Sequence, residues 1–148
     1  MAELRELYQE VILEHSKNPR NYRALPDASN SVEGFNPLCG DRFTVYLKLQ
    51  GDCIADIGFQ GAGCAIAKAS ASVMTQSLKG KTRQEAEVLF NRFHDLVTGK
   101  EPDSGNGLGK LAVFSGVAAF PMRVKCATLA WHAARAALAG EKEAVSSE

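Results

Sequence analysis

The chain has no uninterrupted apolar stretch long enough to cross a bilayer, so no membrane span is expected. It has no excess of charge. Its 17 lysines and arginines balance 17 aspartates and glutamates, so no overall field draws it to nucleic acid or to an anionic membrane. Partners must be recognised through local patches. The opening residues MAELRELYQEV mix charges into an apolar stripe and lack the apolar core and small-residue cleavage site of a secretory signal, so a cytoplasmic protein is expected. Repeats and low-complexity tracts are missing too. Cysteine is scarce, at four residues in 148. In a reducing compartment those four point to metal or sulfur chemistry before disulfides.

What is present is the length and apolar content of one globular domain, expected over residues 1–140, with a flexible tail over 141–148. Leu4, Leu7, Tyr8, Val11 and His15 recur at helical spacing, and the segment ends at Lys17-Asn18-Pro19-Arg20-Asn21, where Pro19 disfavours helical backbone at Asn18. From Phe43 the period becomes two, with Phe43, Val45, Leu47 and Leu49 on one face. After a turn at Gly51-Asp52, Cys53, Ala55, Ile57 and Phe59 continue the alternation, which predicts a hairpin. A strand near Ser31–Asn36 completes a small antiparallel sheet of about three strands.

Helical spacing returns three times. Ile66, Ala69, Val73 and Leu78 form a thin apolar side whose small neighbours imply close packing. Thr82 and Glu85 make a capping box ahead of Ala86, Leu89, Phe90, Phe93, Leu96 and Val97. Pro121 suits a helix start, and Val124, Ala127, Trp131, Ala134 and Leu138 carry a buried stripe to Gly140. Between them, Gly99 through Gly109 reads as a mobile loop. The fold class is α+β, with helices packed on the small sheet.

Three cysteines and an aspartate stand where chemistry is expected. Cys39-Gly40-Asp41 lies in a turn before the first clear strand, and Gly40 lets the backbone bend so that both flanking side chains can face one ion. Cys64 follows Gly61-Ala62-Gly63 at a helix start, where backbone amides and the helix dipole favour a thiolate. Cys126 falls in the first turns of the last helix beside Arg123 and Lys125, and cations act in the same direction. Three thiolates and one carboxylate match the four tetrahedral donors that zinc prefers, the oxygen being the most replaceable. The spacing is not that of a zinc finger, and sequence separation alone leaves convergence on one site open, as it leaves open that Asp41 merely starts a turn. Cys53 reads as a small buried core residue, His15 as a packed or capping histidine, and His94 and His132 as solvated or half-buried.

Taken together, Asn18-Pro19-Arg20-Asn21, Asn36-Pro37-Leu38-Cys39-Gly40-Asp41, Gly61-Ala62-Gly63-Cys64 and Arg123-Val124-Lys125-Cys126-Ala127 resemble the family of NifU amino-terminal domains, IscU and SufU proteins, in its order and over nearly the whole chain. The resemblance implies a compact α+β fold and a site made of Cys39, Asp41, Cys64 and Cys126. IscU-type scaffolds usually carry a histidine immediately before the third cysteine. Lys125 stands there in this chain, with Arg123 two residues earlier, and the added stretch from about Thr82 to Gly109 is a second SufU-like feature.

This likeness implies a zinc-bound sulfur acceptor, a sulfurtransferase-like accessory that takes persulfide sulfur from a pyridoxal-phosphate cysteine desulfurase of the SufS type. By the same analogy Cys39 is the acceptor, Cys64 and Cys126 retain the metal, and Arg123 docks or steers the persulfide. The alternative it implies is a scaffold that holds iron or a transient 2Fe–2S cluster on the same four residues. A SufBCD-type scaffold or apoproteins would then lie downstream of either role.

Overall fold

The computed structural model describes residues 2–38, 40–100, 108–141 and 144–146, with side chains from residue 6 onward. The chain begins with α1 (Ala2–Lys17), then β1 (Asn30–Phe35), β2 (Arg42–Gln50) and β3 (Cys53–Ala62). Helices α2 (Ala65–Leu78) and α3 (Arg83–Val97) follow, then a 3-10 segment over Gly109–Ala119, α4 (Pro121–Leu138) and a two-residue strand β4 (Val145–Ser146). The sheet order is β3-β2-β1-β4, with β1, β2 and β3 antiparallel and β4 parallel to β1. The α+β class is as the pattern predicts. The fourth strand lies in the stretch expected as a tail, and two residues carry too little alternation to announce a strand.

Helices cover one face of the sheet. Alternation puts Val32, Phe43, Val45 and Leu47 against them, all nearly inaccessible to water. Helix α4 sits close on β1 at Gly34, where an added Cβ would lie 3.2 Å from the Leu129 side chain and 3.3 Å from that of Ala133. Trp131 of α4 stacks on Phe93 of α3 at 4.4 Å, and Phe93 meets Phe114 of the 3-10 segment edge-on, so a row of rings joins the three elements. The capping box is formed, with Thr82 accepting from the Glu85 N–H and Glu85 accepting from the Thr82 N–H.

The hairpin departs from its simple reading at one point. Pairing slips between Lys48 and Leu49, so that Leu49 opposes Ile54 while Lys48 opposes Asp56. The extra residue reverses the phase of β3. Ile54 joins Ile57 and Phe59 in the core, and Cys53, expected to be buried, is exposed. Leu7, expected on the buried stripe of α1, is also exposed, with Tyr8 and Val11 half-buried. Leu4 and most of the Gly99–Gly109 stretch lie outside the described side chains or residues.

Helix α2 lies between α1 and α4, which is why it is built from small residues and buried hydroxyls. Ser70 donates to the Ala127 carbonyl and accepts from Trp131 Nε1. Ser72 accepts from the Arg20 N–H at 2.8 Å and lies 2.7 Å from Nδ1 of His15, and Asn21 Nδ2 donates to Thr75. Asn21 takes a left-handed backbone, and its carbonyl accepts from the Phe59 N–H, which covers the free edge of β3. Burial, then the nearby Arg20 and Lys110 charges, push the His15 ring below its ordinary pKa, so it is neutral when folded. Burial does the same to His132.

A histidine whose pKa is lower folded than unfolded contributes stability that is complete above its unfolded value and is lost as pH falls toward the folded one. Chemical denaturation of the metal-free protein is therefore expected to show a flat stability between about pH 6.5 and 8, the range between the free histidine and thiol values, and a decline below it. His15→Gln should cost about 1 kcal/mol at neutral pH and make that decline shallower.

Candidate metal centre

The loop between β1 and β2 is tied across its base. The Asn36 N–H donates to the Asp41 carbonyl and the Gly40 N–H to the Asn36 carbonyl, both at 2.8 Å, while Asn36 Oδ1 accepts from the Leu38 N–H at 3.0 Å. The last contact is an Asx turn, and it explains why asparagine opens this loop. Gly40 supplies the positive φ, +80°, that turns the chain back. The result is a buried Asp41, 3% exposed, aimed away from solvent at the start of β2. Cys39 lies outside the described residues.

Cys64 reaches the same place from the far end of β3. It is the N-cap of α2, in extended backbone, with Sγ accepting from the Ala67 N–H at 3.4 Å. Its own N–H donates to Asp41 Oδ1 at 3.0 Å, and its thiol points at Asp41 Oδ2, 3.5 Å away. Two glycines permit this approach. At Gly61, φ +145°, a Cβ would fall 2.1 Å from the Arg42 carbonyl oxygen. At Gly63 it would fall 2.8 Å from the Phe43 ring and 3.0 Å from the Asp41 carboxyl carbon. The residue as a whole is exposed, although its sulfur faces the buried carboxylate.

Cys126 completes the group from the second turn of α4, behind Pro121 at the helix start. Oxygen of Asp41 and sulfurs of Cys64 and Cys126 all lie within 4.8 Å of one another. Donors about 2.3 Å from a tetrahedral ion stand about 3.8 Å apart, so a small contraction suffices to hold one.

Electrostatics favours that outcome. Burial, opposed by the Ala67 amide and Cys126, raises the Cys64 thiol. Burial followed by the hydrogen bond to Cys64 pushes Cys126 far up. The helix-start effect expected to favour the Cys64 thiolate is present as the Ala67 contact, but desolvation outweighs it. The two thiols, drawn partly out of water, retain their protons until a cation takes their place. The donor set fits zinc or iron.

The remaining candidates stand apart from this cluster. Arg123 is exposed and stacks over Phe120, 4.4 Å from the ring. Cys53 begins β3 at the end opposite Cys64. His15 is buried against Ser72, His94 is exposed and His132 half-buried.

The family description NifU-like N terminal domain matches residues 7–127. The chain belongs to that family. Within the NifU-like group it is 46% identical to the zinc-dependent sulfurtransferase SufU of Bacillus subtilis, over 95% of both chains. It is 41% identical to the iron-sulfur cluster assembly scaffold protein IscU of Streptococcus pyogenes serotype M1, over 93% of this chain and 86% of that one. The solved FiSufU of Fervidobacterium islandicum AW-1 superposes with a TM-score of 0.82 at 40% identity, covering 87% of this chain and 94% of that one.

Reading the NifU-like motifs as ligands alone misses the residues that shape the site. Asn36 and Gly63 hold no ligand atom of the cluster, yet one ties the Asp41 loop and the other lets Cys64 reach it. Their signal in the sequence was adjacency to a ligand, which gives no role by itself.

Gly63→Ala should push the Phe43 ring and the Asp41 carboxyl aside and weaken zinc binding at least 10-fold, within the range that outer-sphere changes produce. Competition with a chromophoric chelator measures this, and unchanged affinity would show that the close approach is unimportant.

Proposed function

We propose that this protein is a zinc-bound sulfur acceptor that takes persulfide sulfur from a pyridoxal-phosphate cysteine desulfurase of the SufS type in iron–sulfur cluster assembly. The observation that carries the reading is the convergence of Asp41, Cys64 and Cys126 in one desolvated cluster. Likeness to a zinc-dependent sulfurtransferase over nearly the full chain, and Lys125 in place of the histidine usual in scaffolds, support transfer over storage. No helix among the described residues is long and apolar enough to cross a membrane. We place the reaction in the cytoplasm and treat residues 1–140 as its single domain.

Cys39, three residues from the loop tie at Asn36, is our choice of acceptor. Bound zinc would supply the positive charge that keeps the cysteines deprotonated and protected. Cys39, Asp41, Cys64 and Cys126 would hold the ion, and on docking with the desulfurase Cys39 would be the thiolate presented to it while the other three would keep the metal. The thiolate attacks the outer sulfur of the enzyme's persulfide, a new S–S bond forms on Cys39, and the enzyme's cysteine leaves as a thiolate. No net oxidation occurs. Arg123, exposed one turn ahead of Cys126, would dock or steer the anionic persulfide, and the exposed Leu38, Phe120 and Met122 lie near the ligand positions in sequence. Sulfur would then pass to a SufBCD-type scaffold or to apoproteins.

A scaffold role is the second reading, favoured by the likeness to IscU and by the carboxylate in the donor set, whose oxygen would make a bound 2Fe–2S cluster labile.

Zinc-loaded protein mixed with its desulfurase and cysteine, without iron, should carry trapped persulfide on Cys39 and should speed desulfurase turnover. Cys39→Ser should abolish both effects, and Arg123→Ala should slow transfer with zinc retained. Unchanged turnover, with a stable visible cluster spectrum on adding iron, would establish the scaffold reading instead.

A further inference from the structure

Asn36 is 1% exposed and its hydrogen-bonding groups are almost fully committed. The main-chain N–H holds the Asp41 carbonyl, the main-chain carbonyl holds the Gly40 N–H, and Oδ1 holds the Leu38 N–H. That last bond fixes which end of the carboxamide is oxygen, because only oxygen accepts. The other end, Nδ2, is a buried donor with no partner among the described residues. Burying a strong donor without an acceptor is unfavourable, and buried donors are nearly always matched, so this one needs a partner that arrives later.

The local chemistry limits what that partner is. Asn36 sits at the base of the loop that delivers Asp41 to the cluster with Cys64 and Cys126. A cysteine sulfur that holds a metal is a thiolate, and thiolates accept N–H donors well. Hydrogen bonds of this kind orient metal ligands and tune the electron density on their sulfurs.

We propose that Asn36 is a positioning residue of the metal centre, tying the loop that carries Asp41 with its other polar groups and reserving its Nδ2–H for an anionic sulfur of the loaded site. The proposal rests on the metal-centre reading above and adds a residue to it. Asn36 binds no metal and no substrate. Loading supplies the missing acceptor, so occupation of the site and satisfaction of the amide are coupled.

Cobalt(II) is the probe, because its sulfur-to-metal charge-transfer absorption reports directly on thiolate electron density. Asn36→Asp, at mildly alkaline pH where the new carboxylate is ionised, keeps an oxygen for the Leu38 N–H and removes the donor. Asn36→Ala removes both. The expected result is that N36D shifts the charge-transfer band to lower energy and speeds release of the metal to a chelator about 10-fold, a size typical of outer-sphere changes. N36A should show the same shift with faster release.

If N36D matches the unaltered protein in band energy and release, while N36A alone is impaired, Asn36 only braces the loop and the proposal is overturned. Should N36A fail to fold, N36D still decides. Unaltered protein that takes up no cobalt overturns the metal-centre reading itself, and this proposal with it.

Discussion

The geometry of the centre depends on one contact, the hydrogen bond from the Cys64 N–H to the Asp41 carboxylate. It joins two places far apart in sequence, a hairpin loop and the N-cap of a helix. A carboxylate is a natural acceptor for an amide at a helix start, where main-chain donors lack partners and the dipole favours negative charge. The same contact aims the Cys64 sulfur, which caps α2 by accepting from the Ala67 N–H, at the other carboxylate oxygen. Gly63 follows as a steric requirement of that closeness, and Gly61 as one of the β2–β3 pairing beside it.

Placing three acidic groups in one poorly hydrated spot has a consequence that structural zinc sites share only in part. Without a cation burial holds the Cys126 and Cys64 thiols protonated. Binding a divalent ion must release protons, so affinity depends on pH and on how easily the loop can contract onto the ion. Ligands drawn from a loop, a helix cap and a helix interior differ in stiffness. Such a set can give up one donor and keep the rest, which a closed set of paired cysteines on two tight turns cannot readily do.

Much of this was legible in the sequence. Period-two alternation located β2, the Thr82 capping box fixed the start of α3, and Pro121 fixed that of α4, because each signal is local and has a single physical cause. Cys53 was misplaced because a bulge is a register event between two strands: one extra residue on β3 reverses its faces, and no pattern within β3 announces it. The exposed Leu7 and the short parallel strand β4 depend in the same way on what a neighbour covers. At the site, the candidate ligands Asp41, Cys64 and Cys126 could be named from motif and resemblance. The sign of the thiol shifts could not, since the helix-start effect is written in the sequence whereas desolvation is a property of the assembled fold.

The stiffness of the centre can be argued from what lies behind it. Cys126 shares α4 with Trp131, whose ring is stacked on Phe93 and whose Nε1 donates to Ser70 of α2. Ser70 in turn donates to the carbonyl of Ala127, the residue after Cys126. Two cysteine-bearing helices are thus locked to each other by a buried hydroxyl a few residues from both ligands. A close-packed interior of this kind resists displacement on the scale of a bond length. Asp41 has no such backing. It is held by the Asn36 tie and the Cys64 N–H, on a loop whose Leu38 is exposed. Adjustment of the centre therefore falls on the loop while the two helical cysteines keep their spacing, and a partner that grips the loop can open the site without disturbing the core.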